Sequence, residues 1–167
     1  DIWMSFPPVV MALILMISLE HGLKNVILAI VVVDWTRFCR LVRGETITLM
    51  KRDYIPAARI AGARHIKVIL LELLPGLFPL LVTLMTIEIG IAIIIESVLS
   101  FVGISMAPHI PTWGGMVADG MAALYQQPVS LITPVLAIIL TVLGANMLGE
   151  GLRRALDPKL ITRANQV

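Results

Sequence analysis

Two glutamates interrupt an otherwise uncharged apolar run, and their chemistry is the first that the sequence singles out. Glu88 and Glu96 are the only charged residues in the stretch from Leu73 to Val102. If this run crosses a bilayer, an ionisable group within it marks a functional site by default, because stranding it in lipid is costly. Glu88 could line a transport path and attract a cationic group, pair with another subunit, or stay protonated. Glu96 lies near the end of the run, where a structural role is favoured, with its carboxylate bound to backbone groups or to the following loop.

Metal and nucleotide chemistry find less support in the chain. His21, His109 and Asp119 are too widely spaced for a compact set of metal ligands. The chain contains no G-x-x-x-x-G-K-[ST] phosphate loop, so any ATP hydrolysis must belong to a partner. Its one cysteine, Cys39, excludes an internal disulfide. We therefore expect no catalytic residue, no metal site and no cofactor bound by this chain.

The composition and its distribution predict a membrane protein. The chain is 58 % hydrophobic and 14 % charged, against roughly 45–50 % apolar and about 25 % charged in soluble domains. Four apolar stretches cover about 3–19, 23–42, 73–102 and 129–150. They lack the two-residue alternation of a transmembrane barrel, whereas a helix satisfies its own backbone groups in lipid. We predict an all-α integral membrane protein, with residues 1–167 forming a single transmembrane domain.

The basic residues set the predicted orientation. Of the thirteen, eight lie at the end of the second stretch or between it and the third, and four follow the fourth, which leaves only Lys24 elsewhere. The positive-inside rule makes their side cytoplasmic. The connection at about 43–72 and the C-terminus are therefore expected in the cytoplasm, and the connection at about 103–128 is expected outside.

The segment from Lys51 to Pro75 is too polar to span a membrane and too apolar to be a plain solvated linker. Asp53 is predicted to N-cap a helix that holds Pro56 in its first turn. Gly62 is placed to end or bend that helix, because it can take a conformation that residues with a Cβ avoid. A second short helix would then lead to Leu74-Pro75, where the proline turns the chain into the third span.

Small side chains give the first of these helices a shallow face that another surface can approach closely. Arg59 and Arg64 can reach acidic groups or phosphates around it. Composition alone equally allows a basic loop that lies on anionic lipid headgroups. The alanines of the shallow face are Ala57, Ala58 and Ala61.

This spacing of alanines, glycine and Leu-Pro resembles the cytoplasmic "EAA" loop of binding-protein-dependent ABC importer permeases. The stretches "ESVLSFVG", "PTWGGMVADG" and "GLRRALDPKL" follow in the order typical of the dipeptide, oligopeptide and nickel branch. The chain is therefore similar to a C-type subunit with the type I, MetI-like permease fold. Because that branch usually has six spans and this chain begins at Asp1, the resemblance implies a fragment without the first two spans.

The resemblance implies that the loop docks on a cytoplasmic ATP-binding subunit. The residues assigned to this coupling are Pro56, Ala57, Ala58, Arg59, Ala61, Gly62, Ala63, Leu74 and Pro75. The predicted external loop would plug the outer mouth or contact a solute-binding protein, unless it is an ordinary turn. The residues assigned to it are Pro111, Trp113, Gly114 and Asp119.

The expected partners are a second homologous permease, two ATPase subunits that hold ATP and Mg, an external solute-binding protein and membrane lipid, with no nucleic acid. The expected location is the plasma (inner) membrane of a bacterium or archaeon. The implied function is inward transport of di- or oligopeptides by alternating access, with nickel or another solute as the alternative cargo. A proton- or cation-coupled secondary transporter or channel, using Glu88 and Glu96, is the alternative from another class.

The chain also departs from the family pattern. Pro56 stands where the motif usually has its glutamate, so a capping box between Asp53 and a glutamate three residues on is not available. Glu72 replaces the apolar or histidine residue common just before Leu-Pro. Entry into the coupling helix must therefore rely on the fixed φ of proline.

Overall fold

A computed structural model describes residues 3, 6–107 and 109–156, and the regular elements in that part of the chain are helical. The predicted all-α class is confirmed. The α-helices are α1 Pro8–Ser18, α2 Leu23–Met50, α3 Tyr54–Ile60, α4 His65–Val68, α5 Leu74–Phe101, α6 Trp113–Ala122 and α7 Val129–Leu156. A π-helical turn, Ile69–Leu73, joins α4 to α5.

Two helical stretches among the described residues are long and apolar enough to cross a membrane. The first is His65–Phe101, with a mean hydropathy of 2.3, and the second is Val129–Ala155, with 2.2. Helix α1 is apolar but has only 11 residues, which is about 16 Å against a hydrocarbon core of about 30 Å. The arrangement of four spans therefore stays a prediction. The end of the motif "GLRRALDPKL", from residue 157 on, lies outside the described residues.

Helix α2 continues to Met50, eight residues past the predicted end of the second span at 42. Charged and hydroxyl side chains end a span but need not end a helix. The Thr46 hydroxyl donates to the Val42 carbonyl at 2.7 Å, within the same helix. The cytoplasmic connection predicted to begin at about residue 43 is therefore largely helical up to Met50.

Contacts divide the chain into two compact units. The first unit comprises residues 1–36 and 87–147, and the second comprises residues 37–86 and 148–167. The first unit has its core where α1, the first half of α2 and the second half of α5 meet. Its buried side chains are Ala12, Met16, Val26, Ala29, Val33, Ile95 and Leu99. The second unit has a smaller core, formed by Leu49, Ile55, Val68, Leu73 and Leu77.

Helix α6 lies in the first unit, within the connection predicted to be a plug, a contact for a solute-binding protein or an ordinary turn. Thr112 begins this helix, because its hydroxyl accepts a hydrogen bond from the Gly115 N–H at 3.1 Å. Gly114 and Gly120 are buried on the side where α6 meets its neighbours. A Cβ on Gly120 would lie 2.7 Å from the Cα of Leu131 in α7. The glycines thus allow close packing of backbones.

Replacing Thr112 with alanine is expected to destabilise the first turn of α6. The loss of a side-chain N-cap costs about 1 kcal/mol, so amide hydrogen exchange in α6 should rise by about five-fold. Mass spectrometry of the exchanged full-length protein would measure this. Thr133→Ala is the matched control, since the Thr133 hydroxyl donates to the Val129 carbonyl inside α7 and its loss should change exchange little. Equal changes in both variants would contradict the capping role.

Candidate coupling interface

Helix α3 begins without the side-chain cap that the sequence predicts. Asp53 occupies the N-cap position, but its backbone is helical, with φ −57° and ψ −28°, and its carboxylate makes no capping hydrogen bond. That prediction is wrong, because a capping side chain normally needs an extended backbone at this position to reach the N–H groups of the first turn. Pro56 does lie in that first turn, where its missing N–H has no intrahelical partner to lose.

Gly62 ends α3 in the predicted way. Its φ is +85°, a conformation that side chains with a Cβ disfavour. The Gly62 N–H donates to the Arg59 carbonyl at 3.0 Å, and the Ala63 N–H donates to the Ala58 carbonyl at 3.1 Å. These two bonds form a Schellman motif, which satisfies the last carbonyls of the helix and reverses the chain toward α4.

Substituting Gly62 with alanine is expected to weaken this end of α3 by about 1 kcal/mol. The cost is conformational, since no atom lies within 4 Å of a Cβ added there. Hydrogen exchange of α3 amides in the full-length protein would report the change. Gly44→Ala is the control, because Gly44 also has open space around it but lies inside α2, where alanine is the better helix former. If the amides of α3 exchange as slowly in Gly62→Ala as in Gly44→Ala, Gly62 is not needed for its conformation at the end of α3.

The two faces of α3 differ in their surroundings. Ile55 is 1 % exposed, and Ala58 packs partly buried against the same core of the second unit. Ala57 and Ala61 are exposed, and Ile60 is 88 % exposed. The docking face, a name we give to Pro56, Ala57, Ile60 and Ala61, is therefore not covered by any of the residues that the structure describes.

The structure thus changes which small residues can contact a partner. Ala58 and Ala63, both predicted to serve coupling, pack against their own chain. Ile60 was missed by sequence reasoning, although it lies four residues after Pro56 and so on the same side of a helix. A large apolar side chain left almost fully exposed beside two alanines is the feature of α3 that most needs a partner.

The passage from α4 into α5 is continuous and does not turn at Leu74-Pro75. Helical structure runs from His65 to Phe101, and the Leu74 N–H donates to the Ile69 carbonyl across the π-helical turn. The predicted turn is wrong, because the wider π turn just before Pro75 leaves space for a ring that would otherwise press on the preceding carbonyls. Leu74 and Pro75 are exposed, while Leu73 is buried. Helical hydrogen bonding therefore continues from α4 into α5.

The two glutamates of α5 have separate surroundings. Glu88 is half-buried in α5. Glu96 accepts hydrogen bonds from the hydroxyls of Ser100, one turn on, and of Ser105, at 3.2 Å. Because eight residues separate them, the helix places the two carboxylates about 12 Å apart along its axis. The structure does not bring them together as a pair.

Ser105 connects Glu96 to a further segment of the first unit. Its side chain is fully buried, and its carbonyl accepts a hydrogen bond from the Gly22 N–H at 3.0 Å. The turn between α1 and α2 is thereby fixed to the chain that follows α5. The carboxylate of Glu96 is thus hydrogen-bonded to the start of the predicted external loop.

The residues assigned to the predicted external loop lie in different surroundings. Pro111 and Trp113 line a cleft of about 430 Å³ together with Glu96. Gly114 is buried against α5, where a Cβ would overlap the Ser97 carbonyl oxygen. Asp119 is exposed on α6. Gly114 is therefore the buried member of this set, whereas Pro111, Trp113 and Asp119 are exposed.

Comparison with known proteins gives this arrangement its context. The family described as "Binding-protein-dependent transport system inner membrane component" matches residues 1–162. The chain belongs to this family. The predicted resemblance is thereby confirmed, and the long apolar helices α5 and α7 are those of a membrane component of a transport system.

Relatives within the family are similar over nearly the whole chain. The glutathione transport system permease protein GsiD of Shigella dysenteriae serotype 1 (strain Sd197) is 41 % identical over 160 residues, which cover 96 % of this chain and 53 % of that protein. GsiD of Escherichia coli O1:K1 / APEC is 39 % identical over the same share of each chain. The chain spans about half the length of the curated relatives that it matches.

Proposed function

We propose that the chain is the transmembrane permease subunit of an ATP-driven importer that moves small peptides inward. Its partners are a second homologous permease, two ATPase subunits that hold ATP and Mg, and an external solute-binding protein. The observation that carries the proposal is the docking face of α3, with Ile60 88 % exposed, on a chain that belongs to a binding-protein-dependent transport family. The predicted orientation puts this face in the cytoplasm, where ATPase subunits operate.

Packing within the second unit would transmit movement of α3 to α5, one of the helices long enough to cross the membrane. Ile55 anchors α3 in the same buried cluster as Val68 and Leu73, so α3 cannot shift without moving the residues that lead into α5. The Schellman motif at Gly62 fixes the angle between α3 and α4. Closure of two ATPase subunits would pull α3, tilt α5 and α7, and so alternate access between the two membrane faces.

Contact between α5 and α7 would spread that motion. Gly149 of α7 lies so close to α5 that an added Cβ would overlap the Thr86 side chain. Close helix approach through small residues is the usual way in which membrane helices pack. Since Thr86 and Gly149 both belong to the second unit, a tilt of α5 would carry this part of α7 with it.

The proposed cargo is a small peptide of the glutathione type. The relatives at 39–41 % identity are permeases of glutathione transport systems, and the half-buried Glu88 of α5 would favour the cationic amino group of a peptide. Nickel or another solute is the alternative cargo. The external receptor would set most of the choice among them.

Uptake into vesicles tests the proposal. The full-length permease would be reconstituted with its partner permease, ATPase subunits and receptor, and uptake of radiolabelled glutathione, dipeptides and nickel chelates would be compared. ATP-dependent uptake of a peptide, absent with a non-hydrolysable ATP analogue, is the expected result. ATP-dependent uptake of nickel chelates without uptake of peptides would show that the cargo proposal is wrong and would still support the ATP-driven mechanism.

A secondary transporter makes the opposite forecast. In that case a proton or cation gradient, coupled through Glu88 and Glu96, would drive uptake without ATP. The same vesicles with an imposed pH gradient and no nucleotide distinguish the two. Proton-driven uptake that is insensitive to ATP would overturn the importer assignment.

A further inference from the structure

A cleft of about 420 Å³ lies beside α3 in the second unit, away from the docking face. The end of α2, α3, α4 and the start of α5 contribute to its walls. Arg59 lines it from α3, His65 from α4, and Leu73 and Leu77 from the passage into α5. The import mechanism proposed above does not use this cleft.

One part of the cleft wall carries the Arg59 guanidinium and the His65 imidazole. The side chains of Arg59 and His65 are exposed, and neither takes part in an ion pair or side-chain hydrogen bond with the described residues. A guanidinium group presents several N–H donors in a plane that matches the oxygens of a phosphate. The imidazole adds a ring N–H donor whether neutral or charged. Together these groups suit a phosphate.

The other part of the wall is apolar. Leu73 and Leu77 belong to the buried core of the second unit and are 6 % and 7 % exposed. They lie one turn apart where α5 begins its apolar run, and Met50 and Ile69 extend the same surface. A ligand that fills the cleft must therefore combine an anionic group with a hydrocarbon chain.

The position of Arg59 separates this cleft from the docking face. Arg59 follows Ile55 by one helical turn and lines the cleft, whereas Ile60 points away from the chain. An occupant of the cleft would thus contact α3 on the side opposite to an ATPase subunit. This assigns Arg59 a role other than the partner contact that the sequence predicts.

We infer that the cleft binds one anionic phospholipid of the cytoplasmic leaflet. Its phosphate lies on Arg59 and His65, and an acyl chain runs along Leu73 and Leu77. Charge complementarity selects this occupant, because basic pockets at the cytoplasmic ends of membrane helices attract anionic headgroups and an apolar floor favours contact with a hydrocarbon chain. The inference shares the membrane orientation of the proposed function but is independent of import, since binding needs neither ATP nor cargo.

Lipid titration tests the site. The full-length permease in nanodiscs of phosphatidylcholine would be titrated with fluorescent phosphatidylglycerol, and bound lipid would be measured without nucleotide. We expect phosphatidylglycerol to bind, and Arg59→Gln to weaken that binding by about five-fold, the effect of one basic residue near an anionic surface. His65→Gln should weaken it as a second, independent variant. Arg64→Gln is the matched control, because Arg64 is exposed and outside the cleft.

Four results would overturn the inference. Arg59→Gln could bind phosphatidylglycerol as tightly as the unchanged protein, or Arg59→Gln and Arg64→Gln could weaken it equally, which would show attraction to diffuse surface charge. Fluorescent phosphatidylcholine could bind as well as phosphatidylglycerol. Inorganic phosphate or glycerol phosphate could displace the lipid at millimolar concentration, which would show a site for a free anion. Failure of vesicle uptake would leave the lipid result standing, so the two proposals fail separately.

Discussion

The Ile60→Glu variant is expected to lose ATP-driven uptake by at least about 30-fold. Truncating a central interface residue typically costs about 2 kcal/mol or more, which corresponds to that factor in affinity, and a charge adds its own desolvation. Because Ile60 is 88 % exposed in the chain, the substitution should leave the permease folded. Copurification of ATPase subunits with the variant would measure docking directly, alongside peptide uptake.

Ile60→Leu is the matched control for this prediction, since it keeps an apolar side chain of equal size and should preserve both readouts. Ala58→Glu should behave differently again, because Ala58 packs against the core of the second unit and its replacement should lower stability rather than docking alone. An Ile60→Glu permease that retains its ATPase subunits and imports peptide would show that the docking face is not the coupling site.

The largest effect on folding is expected for Gly114→Ala. A Cβ at this position would overlap the Ser97 carbonyl oxygen and lie 2.8 Å from the Ser100 Cβ, both in α5. Overpacking against a backbone costs about 3 kcal/mol, since neither helix can yield without losing its own contacts. Thermal unfolding of the full-length permease in detergent should therefore shift down by several degrees, and α6 should exchange its amides faster.

Gly144→Ala serves as the control in the same unit. Nothing lies within 4 Å of a Cβ added to Gly144 in α7, so alanine should be neutral or stabilise the helix by up to about 1 kcal/mol. If Gly114→Ala unfolds at the same temperature as Gly144→Ala, α6 does not pack against α5 at the distance described.

The sequence predicts features that depend on local chemistry. Gly62 was expected to end a helix, and its φ of +85° agrees, because glycine's freedom at positive φ is a property of one residue. The second short helix, from Arg64, was likewise found, with Arg64 at its N-cap position. The order of motifs was sufficient for the family, which the match over residues 1–162 confirms.

Features that depend on packing could not be predicted in the same way. Ala57 and Ala58 are identical in type, and only the fold decides that Ala58 faces the core while Ala57 stays exposed. Helix α6 was missed because two adjacent glycines after Trp113 disfavour a helix in isolation. Its formation depends on neighbours that only glycine allows to come so close.

Ser105 makes one hydrogen bond through its side chain and one through its backbone carbonyl, and only the first can be removed by mutation. Its hydroxyl donates to Glu96, and any substitution that removes the hydroxyl cuts that link. Its carbonyl holds Gly22 through the main chain, which no change of side chain deletes. Substitutions at position 105 can therefore remove the hydrogen bond to Glu96 of α5. The hydrogen bond between the backbone of residue 105 and Gly22, in the α1–α2 turn, would remain. In a library of variants, substitutions at position 105 would therefore reveal the contribution of the side-chain bond to Glu96 but not that of the main-chain bond to Gly22.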